Sequence, residues 1–302
     1  MLAGTIAAVS VAFAKFLGVF VPAISADAWI AGPLLLWGFK VGLNTQNLVA
    51  LGVVVALSLI NIFGVKTGAA VQNVFTFAKT AALLGLVVIG LTVARNAEAV
   101  AANYGDFWSN LSWSQLFPVK VGAEGEMAMV GILTILAVAQ VGSLFAADAW
   151  NNVTFTAAEV ENPSRNQPLS LGLGTGLVLL LYILANFAYM AVLPLHGHVG
   201  AATAAERGIQ YAAEDRVGTA VMESAFGSAG AGLMALAIMI STFGCANGLI
   251  LAGARVYYAM AKDGLFFASV SRLHPVCRTP AVSLAVQAVW TCLLCLSGSY
   301  WT

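Results

Sequence analysis

Seven apolar stretches, each about as long as a lipid bilayer is thick, constrain this sequence more than any other feature. A helix that crosses the hydrocarbon core needs about 20 mostly apolar residues. Because only 9% of the residues are charged and 60% are hydrophobic, the chain lacks the polar side chains to cover a surface in water. We therefore predict an all-α membrane protein with about seven transmembrane helices in one domain. The predicted spans are residues 2–21, 46–63, 71–93, 128–150, 169–193, 232–257 and 281–296.

The remaining composition excludes several functions. The formal net charge is zero, which argues against nucleic acid as a partner. Cys292 and Cys295 form a CxxC inside an apolar run, where we interpret them as small buried residues and not as redox or zinc ligands. We expect no metal or cofactor. No catalytic pair occurs at helical spacing, so we expect no enzyme.

Basic residues give a weak orientation signal. If the first span ends outside, the short inner connectors have the higher density of lysine and arginine, as the positive-inside rule requires. The longest outer connector is rich in alanine with interspersed charge, which predicts short cap helices within residues 200–228.

The fourth span contains the most informative polar segment. Its apolar run ends near Phe145, and Asp148 follows close to the depth of the bilayer centre. A charge there costs at least about 2.5 kcal/mol, so it must face protein or water. We predict that this helix is discontinuous and that its freed carbonyl groups can bind a cation such as a substrate ammonium. The alternative is a continuous helix in which Asp148 pairs with a neighbouring span.

Two other spans carry polar residues with open interpretations. Lys79 lies in the third span, where its amine either takes the place of a bound sodium ion or extends to the inner interface. The sixth span contains Ser241, Thr242 and Asn247 among several glycines. Small residues allow helices to pack closely, and packing alone explains why all of these residues occur in this span. The polar side chains among them could also line a cavity.

The chain resembles the amino acid–polyamine–organocation permeases, and within them the bacterial relatives of the L-type amino-acid transporters. The resembling stretches are NIFGVKTGAAVQNVFTFAKTAAL, LFAADAWNNVTFTAAEVENPSRNQP, YILANFAYMAVLP and ISTFGCANGLILAGARVYYAMAKDGLFF. The resemblance implies the leucine-transporter fold, a five-plus-five inverted repeat within a longer protein. On that mapping, the seven spans of this chain correspond to the third to ninth spans of the family. We therefore expect a fragment that lacks the family's first two spans and those after the ninth.

The resemblance also implies substrate contacts around the break in the fourth span. Phe145 resembles the gating aromatic, and the backbone carbonyls of Phe145, Ala146 and Asp148 would face the substrate's amino group. Trp150 and Asn151 match the polar-aromatic pair beyond the break. The family usually has an aromatic residue and a glycine where this chain has Ala147 and Ala149, and alanine tolerates fewer backbone angles than glycine.

The other implied residues belong to the third and sixth spans. Lys79 resembles the intramembrane lysine that replaces sodium, with its partner around Ser241 and Thr242. Asn247 matches an amide that lines the cavity. L-type animal proteins pair with a heavy chain through a cysteine in the loop after the family's third span, which corresponds to the first span of this chain. The matching residues 23–45 contain no cysteine. We therefore expect no disulfide-linked heavy chain.

These observations predict a secondary amino-acid transporter, either a permease or an exchanger, that works by alternating access in the membrane of a bacterial cell. Its partners would be an amino-acid substrate and the lipid bilayer. The alternative is a multi-span membrane protein without transport activity, such as a sensor or an assembly subunit.

Overall fold

The computed structural model of the chain describes residues 2–36, 39–105, 116–121, 126–146, 150–213 and 216–296. Most of these residues are helical, and the predicted helical class with several apolar helices is confirmed. The α-helices in the described part of the chain are α1 (Leu2–Leu17), α2 (Thr45–Ile62), α3 (Val65–Leu91), α4 (Ala97–Tyr104), α5 (Ile132–Ala146), α6 (Pro163–Val192), α7 (Ala204–Arg207), α8 (Val217–Phe226), α9 (Ser228–Lys262) and α10 (Ala281–Leu296).

Apolar helices lie at all seven positions where the sequence predicts a span. Among the described residues, four helices are long and apolar enough to cross a membrane, namely α2, α3 from Gly68, α6 and α9. Three shorter apolar helices are α1, the part of α5 up to Leu144, and α10. The number of spans therefore stays a prediction. The longest helix, α9, has 35 residues, so it begins before and ends after the predicted sixth span.

Two antiparallel hairpins in the connectors were not predicted. The first pairs β1 (Trp29–Leu36) with β2 (Phe39–Asn44), and the second pairs β3 (Leu116–Val121) with β4 (Glu126–Gly131). The strand β4 includes residues 128–131, which the sequence analysis assigned to the fourth helix. All six of its residues pair in regular register with β3. Cross-strand pairing therefore holds this apolar segment as a strand, and the helix begins only at Ile132.

The hydrophobic core lies where α1, α2, α9 and α10 meet. The side chains of Ile6, Leu57, Ile250 and Leu284 are buried together there. The helices α2 and α10 run antiparallel, and the Thr279 hydroxyl donates to the Ile62 carbonyl at 2.7 Å at one end of their contact. A four-helix unit with α9 as its common member is the most completely packed part of the described chain.

The helices α5 and α6 are much more exposed. Within the described residues, the neighbours of α5 are mainly its own hairpin strands β3 and β4. Leu133 and Leu144 at its two ends are 69% and 67% exposed. The helix α6 packs on α3, and many of its leucines are exposed.

Short helices cover one end of this bundle. In the predicted cap connector, α7 and α8 are joined by an ion pair between Arg207 and Glu223 at 3.6 Å. At the same end, the helix α4 is fixed to the end of α6 by Asn103. Its amide group donates to the carbonyls of Met190 at 2.7 Å and Leu193 at 2.9 Å.

Candidate functional site

The helix type changes where the sequence predicts a break in the fourth span. The described part of α5 extends to Ala146, and the residues from Trp150 to Glu159 form a 3₁₀ helix. A 3₁₀ helix rarely exceeds three or four residues, and longer runs often mark a hinge or a strained sequence. This segment packs on both α6 and α9. The backbone on either side of the predicted opening is thus built differently.

The residues that the sequence predicts around the break belong to the end of α5, to the start of the 3₁₀ helix and to the segment between them. Asp148 lies outside the described residues, so its depth and its partner stay predictions. Phe145 and Ala146 form the last turn of α5, and Asn151 follows in the 3₁₀ helix. The side chains of these three also lie outside the description. Trp150 begins the 3₁₀ helix, with its indole ring exposed.

Close contact between α3 and α9 determines the position of Lys79. Gly244 and Gly248 are one turn apart on α9, in the GxxxG spacing that lets helix backbones approach each other. A Cβ atom at Gly244 would lie 2.7 Å from the Cβ of Phe75, and one at Gly248 would lie 3.2 Å from the Gln72 amide nitrogen. Glycine is therefore required at Gly244, because any side chain there would push the two helices apart.

These contacts also give the register of the two helices. Gln72 lies beside Gly248 and Phe75 beside Gly244, so the helices run antiparallel. Continuing by one turn places Lys79 level with the segment around Ser241. The Lys79 side chain is half-buried. The structure thus brings Lys79 to the part of α9 that contains its predicted partners.

The predicted partners of Lys79 make different contacts. The Thr242 hydroxyl donates to its own helix, to the carbonyls of Ile238 at 2.8 Å and Met239 at 3.1 Å. Ser241 is half-buried in the same turn. A hydroxyl bonded within its helix keeps lone pairs for a cation but has its hydrogen in use. A direct contact between Lys79 and these hydroxyls stays a prediction.

Asn247 is fully buried in a cluster of amide groups that joins three helices. Its side-chain oxygen accepts a hydrogen bond from the Asn61 amide at 2.8 Å. Its nitrogen donates to the Gly68 carbonyl at 3.1 Å and to the Gln72 side-chain oxygen at 3.1 Å. Both amide hydrogens of Asn247 are thus bonded within the protein. In this structure Asn247 ties α2, α3 and α9 together, and a contact with substrate stays a prediction.

Sequence reasoning missed Asn61 and gave Gln72 no role. Asn61 lies at the end of an apolar helix and Gln72 near the start of another, so each looks like an interfacial residue. Only the complementary buried amide of Asn247, 186 residues from Asn61, reveals their function. The described residues contain no group of three or more histidine, cysteine or acidic side chains that could hold a metal ion.

Apolar helices of membrane-spanning length, a buried polar junction between them and a half-buried lysine define a helical, multi-pass membrane protein. The chain belongs to the amino acid permease family, because the family model of that description matches residues 1–302. The family that the resembling stretches predict is thereby confirmed.

The individual proteins to which this chain is similar are consistent with its membership of this family. The chain is 28% identical to the serine/threonine exchanger SteT of Bacillus subtilis over 267 residues, which cover 88% of this chain and 52% of that protein. It is 28% identical to the human b(0,+)-type amino acid transporter 1, over 78% of this chain and 44% of the transporter. It is 23% identical to the human large neutral amino acids transporter small subunit 2, over 82% of this chain and 40% of that protein. The chain thus spans about half the length of these relatives, whose names describe transport and not an enzymatic reaction.

Proposed function

We propose that this chain is part of a secondary amino-acid transporter, a permease or an exchanger that works by alternating access. The observation that carries the proposal is the change from an α-helix at Ala146 to a ten-residue 3₁₀ helix at Trp150 in a membrane protein of the amino acid permease family. The last four carbonyl groups of an α-helix have no partner within it, and the negative end of the helix dipole lies there. Such a helix end suits a substrate ammonium group.

The proposed roles of the residues follow the chain through this segment. The backbone carbonyls of Phe145, Ala146 and Asp148 bind the ammonium group, and the Phe145 ring closes over the bound substrate. Trp150 and Asn151 then contact the substrate beyond the opening. The packing of the 3₁₀ helix on α9 supports this arrangement, because α9 then holds the segment in place from one side.

Lys79 is the proposed substitute for a coupling sodium ion. Its half-buried position level with Ser241 supports this role, since an ammonium group there would interact with the hydroxyl oxygens of Ser241 and Thr242. An ammonium and a sodium ion would compete for the same place. Transport is therefore expected to be independent of sodium.

The proposed setting is the cell membrane of a bacterium, and the proposed ligands are an amino acid and the surrounding lipid. The four cysteines are Cys245, Cys277, Cys292 and Cys295, and none lies between the first and second apolar helices. We therefore propose no disulfide-linked heavy chain.

Uptake of labelled amino acids into proteoliposomes tests the transport function. The purified full-length protein that contains this chain should take up or exchange an amino acid at the same rate in sodium and in choline buffer. Lys79→Ala should lower the rate about tenfold or more, corresponding to 1.4 kcal/mol per factor of ten. Lys15→Ala, at the last turn of α1, is the matched control and should stay within about twofold of the unmodified protein.

Three results would contradict parts of the proposal. If the protein neither binds nor moves any amino acid, the transport function is wrong and the sensor or assembly subunit takes its place. If uptake requires sodium, the role of Lys79 as its substitute is wrong. If Lys79→Ala and Lys15→Ala lower uptake equally, a charge at Lys79 has no special role.

A further inference from the structure

An apolar groove lies on the surface between α9 and α10. It has a volume of about 530 Å³ and is lined by Tyr257, Phe266, Ala285, Val286, Val289 and Trp290. Several of these side chains, including Val289 and Trp290, are exposed. Because α10 rises about 1.5 Å per residue, Trp290 lies about 13 Å along the helix from Ala281. Trp290 thus lies about as far from the start of α10 as one leaflet of a 30 Å hydrocarbon core is thick.

The connector between α9 and α10 has the composition of a segment in the membrane interface. Leu265, Phe267 and Val276 are 72%, 74% and 83% exposed, which is costly in water. From residue 262 to residue 280, three side chains are basic, and Asp263 is the one acid. Exposed apolar side chains beside basic ones are typical of protein surfaces that insert into anionic headgroups.

Aromatic rings join the groove to this connector. Phe266 lines the groove, and its ring centre is 5.8 Å from that of Tyr257 and 5.1 Å from that of Phe267 in the connector. A 3₁₀ turn at Ala268–Ser271 then packs on both α9 and α10. Arg272 directly follows this turn, so its backbone is held where the two helices end.

Basic side chains lie on both sides of that position. Arg278 is exposed two residues before the buried Pro280, which leads directly into α10. Lys262 ends α9, and its ammonium group lies 5.5 Å from the centre of the Tyr258 ring. The apolar groove thus has positive charge at the end where the helices leave the membrane.

We propose that the groove and the connector bind one anionic phospholipid. An acyl chain lies along Val286, Val289 and Trp290, and the phosphate group contacts Arg272 and Arg278. An acyl chain of one leaflet is long enough to reach from the connector to Trp290, and the headgroup charge is opposite to that of the connector. A second copy of this chain would bring another basic connector to the same place, so like charges would oppose that occupant. This site is independent of the transport function.

Quenching of Trp290 fluorescence by brominated lipid tests this proposal. The chain contains seven tryptophans, so the test uses a variant in which the other six are phenylalanine, reconstituted into bilayers. Brominated phosphatidylglycerol diluted into unlabelled phosphatidylcholine should quench Trp290 about three- to tenfold more effectively than brominated phosphatidylcholine at the same dilution. The added pair Arg272→Gln and Arg278→Gln should remove the preference, and Arg272→Lys with Arg278→Lys should retain it.

Two outcomes would overturn the proposal. One is equal quenching by both lipids, which would mean that the groove holds ordinary bilayer lipid. The other is weak quenching by both, which would mean that protein covers the groove. The chain with all its tryptophans provides an independent measurement, because phosphatidylglycerol should raise its thermal unfolding temperature in detergent more than phosphatidylcholine does. The difference in unfolding temperature between the two lipids should vanish in the variant with Arg272→Gln and Arg278→Gln. If the difference persists in that variant, the proposed lipid site is wrong.

Discussion

The unit of α1, α2, α9 and α10 and the outlying helices α5 and α6 are all largely apolar, but they differ in which side chains they bury. In the four-helix unit, polar groups such as those of Asn61 and Asn247 are buried between helices and bonded to each other. On α5 and α6, leucines are exposed along whole faces. Lipid can cover such faces, whereas a polar group in lipid needs a protein partner. The comparison shows that burial of polar groups, and not apolar character, marks where the helices of this protein associate.

The same comparison separates two kinds of constraint on the candidate site. Lys79 is positioned by glycine contacts and amide hydrogen bonds between α3 and α9, which leave little freedom in register. The segment after Ala146 is supported mainly through the 3₁₀ helix on α6 and α9. We therefore expect the Lys79 side of the site to be rigid and the side near Trp150 to be easily deformed.

The sharpest way to break the comparison is to add the same side chain to a glycine in each region. Gly244→Leu adds a side chain whose Cβ atom alone would lie 2.7 Å from the Cβ of Phe75. A Cβ atom added at Gly142 in α5 would meet nothing within 4 Å. Gly244→Leu should lower the free energy of unfolding by about 3 kcal/mol. Gly142→Leu should change it by less than about 0.5 kcal/mol. Denaturant unfolding in detergent, followed by circular dichroism, measures both, and similar losses would refute the difference.

A smaller effect is expected when an amide is removed from each region. Asn247→Ala leaves the Gly68 carbonyl and the Gln72 side chain without their hydrogen bonds, so it should lower the free energy of unfolding by about 2 kcal/mol. Asn186→Ala removes an exposed amide on α6 that, within the described residues, donates to the Tyr182 carbonyl of its own helix. Its effect should be below about 0.5 kcal/mol. If Asn186→Ala costs as much as Asn247→Ala, the amide cluster has no special part in helix association.

Hydrogen exchange can sharpen the comparison without any substitution. Amide hydrogens of the 3₁₀ helix between Trp150 and Glu159 should exchange at least about tenfold faster than those of α9 between Gly244 and Gly253, a difference of about 1.4 kcal/mol in local opening. The physical reason is the poorer hydrogen-bond geometry of a 3₁₀ helix. Mass spectrometry after proteolysis reads out both segments in one sample. Equal protection would show that the 3₁₀ helix is as rigid as α9.

The smallest effect is expected outside both regions, at the ion pair between α7 and α8. Glu223→Gln removes the carboxylate that contacts Arg207 and should lower the free energy of unfolding by at most about 1 kcal/mol. Salt at 1 M should abolish the difference, because it screens such pairs. Glu161→Gln, an exposed control, should show no effect at either salt concentration. A loss that persists in high salt would mean that Glu223 acts through packing.

Much of the helical framework could be predicted from the sequence, and the site only in part. Long apolar runs specify helices in lipid whatever their partners are, so helices such as α2 and α9 are found where the hydropathy places them. The hairpin of β3 and β4 was missed because its second strand is mostly apolar and leads directly into the helix that follows it. Periodicity alone does not distinguish a strand from a helix in a short apolar run.

The site shows a different limit. The position of Lys79 follows from local sequence, but its height relative to Ser241 depends on glycine contacts between helices that are far apart in the chain. The family resemblance assigns Asn247 to a cavity wall, a role that stays a prediction, and the sequence does not tell which way its helix is turned. Its burial follows from pairing with Asn61, and no pattern in either helix predicts that pairing.

The length of α9 has a mechanical consequence. Its 35 residues form a rod of about 52 Å, which extends beyond both faces of a 30 Å hydrocarbon core. One end begins directly after the cap helix α8, and the other leads into the basic connector. A tilt of about 10° about the midpoint would displace each end by roughly 4 Å in opposite directions. The rod would then act as a lever that couples movement at one membrane surface to movement at the other.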